Sequence, residues 1–214
     1  LIVSTVCDHC KDVLSRIQVR QAFENFWSGF MKNINPIVIA IGGKIGSGKT
    51  TIANILSKEL NIKLVSFGDY VRKVAKELNI EDNRKNIQKL GNDLIDNGVK
   101  EFCTNVLKFA NWTYGQSLIV EGVRHKEVLS ILKQLTYQDR LLFVFVSLRD
   151  EIRKQRIMKR GKDLINDLHD IEQDSTEIQL HQDLSAYADI IINNEDDPYK
   201  TVKELLIKLK EKLE

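Results

Sequence analysis

From Pro36 onward, short apolar runs alternate with stretches whose apolar residues recur at helical spacing. The runs predict strands over 36–42, 62–67, 117–121, 141–147 and 188–193. The periodic stretches predict helices over 49–60, 69–79, 82–97, 98–111, 125–135, 149–160 and 199–213. Leu118-Ile-Val120, Leu141-Leu-Phe-Val-Phe-Val146 and Ile190-Ile-Ile192 are continuously apolar. A strand with one wet face alternates, whereas a strand covered on both faces does not, so these runs predict a parallel sheet between helical layers. The fold expected is α/β, a five-stranded parallel sheet covered by helices on both faces.

Two segments stand outside this alternation. Residues 11 to about 32, with Phe23, Phe26, Trp27 and Phe30, carry apolar positions at helical intervals and predict an amphipathic helix before the first strand. It packs on the side of the domain, forms a partner or homodimer surface, or is the tail of an upstream domain. Gly161–Thr176 is polar and follows a basic helix, which fits a surface loop or a mobile lid. The chain thus divides into an N-terminal helical extension, 1–34, and an α/β domain, 35–214.

Composition narrows the setting. The 214 residues suffice for one α/β domain plus an appendage, and 43% apolar with 29% charged residues is the balance of a soluble globular protein. The net charge of +2 provides no global field toward nucleic acid or membrane, so neither is an expected partner. No run of about 18 apolar residues predicts a membrane span. Cys7, Cys10 and Cys103 are an odd count, too few for a disulfide framework, and fit a reducing cytoplasm. Cys7-Asp8-His9-Cys10 lacks the second ligand pair of a structural zinc site and reads as a surface turn. The chain begins with Leu1, so it reads as a fragment or a processed form.

The chemistry concentrates behind the first strand. Gly43-Lys44-Ile45-Gly46-Ser47-Gly48-Lys49-Thr50 fills every fixed position of a G-x-x-x-x-G-K-[ST] loop, with a strand before it and a helix after it. Glycines let successive backbone N–H groups turn toward a polyphosphate, and the helix N-terminus adds partial positive charge. Lys49 would neutralise the β- and γ-phosphates, and the Thr50 hydroxyl would ligate Mg²⁺. Gly43 through Thr51 is therefore the expected ATP site, with Thr51 completing its helical turn.

Three further groups fall at the C-terminal ends of predicted parallel strands, on the same edge as the loop. They are Ser66-Phe-Gly-Asp69-Tyr-Val-Arg72, Ile119-Val-Glu121-Gly-Val-Arg124-His125 and Arg153-Lys-Gln-Arg156-Ile-Met-Lys-Arg160. Glu121 is read as holding Mg²⁺ through water, against a simple helix cap. Asp69 is read as an N-cap for a helix starting at Tyr70, a role compatible with touching Mg²⁺ waters or a substrate hydroxyl. Arg153, Arg156 and Arg160 share one helix face, read as phosphate-binding because three such cations repel unless an anion sits between them, against a plain solvated face.

These residues resemble a nucleoside monophosphate kinase of the adenylate kinase type, and the chain is also similar to dephospho-CoA kinases. Gly68-Asp69-Tyr-Val-Arg72 matches the G-D-x-[LM]-R of adenylate kinases, and Glu121-Gly122-Val-Arg124 matches their D-G-[FY]-P-R with Glu for Asp and Val for Pro. Arg156-Ile-Met-Lys-Arg160 matches the R-[IV]-x-x-R before their lid, and Ala188-Asp189-Ile-Ile-Ile-Asn193 resembles the A-D-x-[IV]-[IV]-x-N of dephospho-CoA kinases. The resemblance covers about 36–213 and implies a P-loop NTPase fold with acceptor-binding helices over about 68–111 and a lid over about 161–176. It implies that Arg72 and Arg124 hold the acceptor's phosphate, that Arg156 lies by the donor base, and that Arg160 reaches the donor phosphates. Arg84, with Gln88 one turn on, lies in the segment that closes over the acceptor in such kinases, as a substrate contact or as plain surface helix.

The departures are specific. Val128 stands where adenylate kinases place the Gln that reads the acceptor base, and no Arg follows Arg160. Gln155-Arg156-Ile-Met shares only part of the dephospho-CoA kinase helix. The function expected is an ATP- and Mg²⁺-dependent transfer of the γ-phosphoryl group to a nucleoside or deoxynucleoside monophosphate. Lys49, Arg124, Arg156, Arg160 and Asp69 are the expected catalytic residues. Asp69, Arg72, Arg84 and Arg124 are the expected acceptor contacts. The alternatives are a dephospho-CoA kinase-like enzyme and a regulatory ATP-binding module with slow hydrolysis.

Overall fold

Val38–Gly42 forms β1, the central strand, and each of its five residues is buried. In the computed structural model its neighbours are β3 (Leu118–Val123) and β4 (Leu141–Ser147), with β2 (Leu64–Ser66) beyond β3 and β5 (Ile190–Asn193) beyond β4. All four pairings are parallel, giving the order β2-β3-β1-β4-β5. The structure describes Gly29 and residues 35–137, 140–159 and 184–214. The helix expected over 11–32, the Cys7–Cys10 turn, Arg160 and the segment 161–176 lie outside the described residues.

Seven α-helices cover the sheet among the described residues: α1 (Lys49–Leu60), α2 (Phe67–Glu77), α3 (Arg84–Asp96), α4 (Val99–Phe109), α5 (Lys126–Leu135), α6 (Asp150–Met158) and α7 (Pro198–Leu213). The strand residues divide by parity, as a period of two requires. Ile37, Ile39 and Ile41 face α1 and α7, where Ile52, Leu56, Val202 and Leu206 close the layer. Val38, Ala40 and Phe143 face the other way, onto Phe67, Phe102, Val106 and Leu132 of the remaining layer. Burying each such side chain is worth about 1.5–3 kcal/mol, so two dry faces hold the sheet between its helices.

The edges depart from expectation. Ile190 and Ile192 are buried but Ile191 is 51% exposed, so β5 is not covered on both faces among the described residues. It is an edge strand, and its apolar run reflects β propensity as much as burial. At the other end, α2 starts at Phe67 directly off β2, with Ser66 in the cap position. Asp69 is therefore a first-turn residue rather than the N-cap, because Phe67 is drawn into the helix by packing on Phe102 at a centroid distance of 5.1 Å.

Candidate functional site

The loop between β1 and α1 is tightly folded by its glycines. Gly48 sits at φ 86° and caps α1, and a Cβ there would run into Asn194 Nδ2. Gly46, at φ 83°, lies so close to α6 that a Cβ would come within 2.8 Å of Ile157. Both positions need glycine for conformation and for space. The Ser47 N–H donates to the Lys44 carbonyl at 3.1 Å, which closes the turn. Lys49 is 8% exposed, and its Nζ donates to the same carbonyl at 3.4 Å. The Ser47 hydroxyl is buried with no partner among the described residues.

Two supports beneath the loop carry no local sequence signal. Asn194, just past β5 and 1% exposed, donates from Nδ2 to the Ser47 carbonyl at 2.8 Å and accepts from the Thr201 hydroxyl at 3.3 Å. The asparagine at the loop is thus Asn194, one residue beyond Asn193. Asp150, at the start of α6, accepts from Arg153 Nε at 2.9 Å and from Lys44 Nζ at 3.2 Å. Burial would raise the Asp150 carboxyl, but the Arg153 and Lys44 bonds outweigh it and hold it below its ordinary value. The anion demanded by the arginine face is this carboxylate: Arg153 is 4% exposed and structural, while the Arg156 guanidinium lies beside Gly48.

The strand ends bring the other residues to the loop. The Thr50 hydroxyl donates to Glu121 Oε1 at 3.1 Å, joining the start of α1 to buried β3. The register between β1 and β3 shifts after Ile41 and Glu121, so Gly42 pairs Val123 and the chain leaves β3 toward Arg124. Arg72 NH1 donates to Asp69 Oδ1 at 3.4 Å and its Nε lies 3.7 Å from Asp82. Asn83 caps α3 by accepting from the Asn86 N–H at 2.9 Å, which sets Arg84 at the first helical position.

One cavity of about 620 Å³ joins these groups. Ile45, Gly46, Lys49, Thr50 and Glu121 line it together with Asp69, Arg72, Arg84, Arg124, His125 and Val128. Thr51 is exposed and faces a separate groove beside Pro198 and Tyr199. Thr50 and Glu121 supply the hard oxygen donors that suit Mg²⁺, a hydroxyl and a carboxylate converging beside the loop. Gly43, Lys44, Ser47 and Gly48 form the rest of the loop. Asn194 and Asp150 are the residues that spacing did not single out, because their partners on the loop lie 147 and 106 positions away; Arg153, which spacing did single out, turns to Asp150 on its own helix.

Known proteins resemble this chain. The AAA domain family model matches residues 39–178. The chain is 30% identical to the cytidylate kinase of Pyrobaculum islandicum over 71% of its own length and 75% of that protein's. It is 25% identical to the dephospho-CoA kinase of Prochlorococcus marinus, covering 78% of this chain and 94% of that one. The shikimate kinase of Acinetobacter baumannii, solved with shikimate, superposes with a TM-score of 0.52 at 18% identity, covering 91% of this chain and 99% of the other, which shows a shared fold. With its matched span running from β1 through α6 and its phosphate loop intact, the chain belongs to the AAA domain family and is a P-loop kinase, a phosphotransferase.

Proposed function

We propose that the chain transfers the γ-phosphoryl group of ATP to a nucleoside or deoxynucleoside monophosphate. The observation that carries this reading is that one cavity is lined both by the phosphate loop and by Arg72, Arg84 and Arg124. A hydrolase has no need of a second group of cations; a two-substrate transferase does. Such transfer rests on positioning and charge neutralisation more than on covalent chemistry. Lys49 and Arg156 would meet the donor phosphates, and Arg72, Arg84 and Arg124 the acceptor phosphate. Arg160 would join the donor side. Asp69, held beside Arg72, would orient that guanidinium toward the acceptor.

Thr50 and Glu121 would hold Mg²⁺, Thr50 directly and Glu121 through water. When bound, the ion would neutralise charge on the β- and γ-phosphates. Enclosure between α2, α3 and the loop would keep water, the competing nucleophile, from the phosphoryl group. The relatedness to a cytidylate kinase supports a monophosphate acceptor, and that to a dephospho-CoA kinase keeps a larger acceptor in the trial set.

The test is ADP release from ATP and Mg²⁺ with a panel of ribo- and deoxyribonucleoside monophosphates, dephospho-CoA and shikimate. Release that rises with one or more of the monophosphates supports the reading. Release that rises only with dephospho-CoA or shikimate moves the acceptor class, and release indifferent to every acceptor overturns transfer in favour of an ATPase module.

A further inference from the structure

Along α3, Arg84, Gln88 and Asn92 follow at intervals of four and all three line the cavity. That spacing places them in one row on one helix face. Arg84 begins the row at the helix N-terminus, and the two neutral amides continue it. Gln88 and Asn92 are half-buried, and neither amide has a hydrogen-bond partner among the described residues. Their donors and acceptors are therefore open to the cavity and available to a ligand that enters it.

The apolar part of the cavity that these amides line comes from four helices. Val71 of α2, Ile87 and Ile95 of α3, Phe102 of α4 and Val128 of α5 line the same cavity. Phe102 is fixed by Phe67 and Tyr70, at centroid distances of 5.1 Å and 5.9 Å, so this wall is rigid. An anionic hydroxy acid would call for cations along its whole length. A flat, neutral heteroaromatic ring calls for apolar faces and a few donors and acceptors at its edge, and an amide offers both in one group. The row therefore changes from charge to amide where a nucleotide changes from phosphate to base.

We propose that Gln88 and Asn92 read the acceptor's base, replacing the reader that Val128 cannot supply. Val128 is 3% exposed and contributes only an apolar surface. The proposal rests on the monophosphate-kinase reading above and assigns specificity within it. Gln88 and Asn92 act on ground-state and transition-state binding of the base alike, so they set acceptor KM and base preference more than kcat.

The experiment measures kcat and KM for each nucleoside monophosphate at saturating ATP, in the full chain and in Gln88→Leu, Asn92→Leu and the amide-keeping Asn92→Gln. Each Leu variant is expected to raise the KM for the preferred acceptor by about tenfold and to flatten the ranking of bases, the scale of leaving one hydrogen-bonding group unpaired. The kcat of each is expected to stay within about threefold, and Asn92→Gln to recover most of the ranking. An unchanged ranking and KM in both Leu variants, alongside good wild-type turnover, overturns this assignment and leaves the kinase reading intact. Absence of wild-type turnover with every monophosphate overturns both. A matched loss of kcat across all acceptors, with the ranking preserved, also overturns base reading, because a merely structural role would produce it.

Discussion

At the residue scale, Lys49 and Asn194 show two ways of serving one loop. Lys49 is half of a motif that spacing made plain, since its place is fixed by its neighbours in the chain. Its ammonium already rests on the Lys44 carbonyl at 3.4 Å, poised over the loop. Lys49→Ala is expected to lower kcat by about two to three orders of magnitude, the scale of losing one preorganised charge-stabilising donor. The thermal midpoint should change little by comparison, and turnover equal to wild type would contradict the role. Asn194 has no such neighbours: its partner Ser47 lies 147 residues away, and only the parallel pairing of β4 and β5 delivers it there. Asn194→Ala strips a donor from the Ser47 carbonyl and an acceptor from the Thr201 hydroxyl, both buried. The expected cost is about 1–3 kcal/mol, which lowers the midpoint by roughly 2–10 °C in a chain of this size. A loosened loop should also raise KM for ATP. A midpoint and KM both unchanged would show that the loop stands without it.

At the element scale, the strands and helices of the described residues were legible because burial imposes period on the chain. Val38, Ala40 and Ile37, Ile39, Ile41 go to opposite faces, so a run apolar at every position announces a covered strand. The same signal misleads for β5, where Ile191 is exposed, since an edge strand keeps its β-branched residues for propensity as well as packing. What the pattern did not disclose was how α6 docks on the loop. Asp150 joins Lys44 of the loop to Arg153 of its own helix, and no periodicity records a contact 106 residues apart. Because the Asp150 carboxyl is held below its ordinary value of 3.8, its contribution to stability is present above that pH and is lost as pH falls through the lower folded-state value. Asp150→Asn should therefore be less stable than wild type at neutral pH, by a modest margin, since the carboxylate is half exposed. The margin should shrink as pH falls below about 4. Melting curves of both proteins across that range check it, and a margin constant with pH would remove the charge from the explanation.

At the scale of the whole molecule, five parallel strands end on one edge, and that single fact gathers cations that follow β1, β2 and β3 around one cavity of about 620 Å³. Each strand end is ordinary in isolation; on the proposed reading, function arises because the sheet holds the phosphate loop and Arg72, Arg84 and Arg124 around the same cavity. A dinucleoside polyphosphate, which joins a donor and an acceptor through one phosphate chain, tests that reading directly. If both groups belong to one site, binding at the first makes binding at the second intramolecular, with a gain of about a hundredfold or more over either nucleotide alone. At equal concentration this adds about 2.7 kcal/mol of stabilisation, or roughly 5–10 °C of additional thermal shift beyond ATP. Arg124→Ala, which removes one proposed acceptor contact, should remove most of that addition and leave the shift caused by ATP nearly as it was. A linked compound that stabilises no more than ATP does would mean that Arg72, Arg84 and Arg124 do not form an acceptor site, and the two-substrate reading would fall with it.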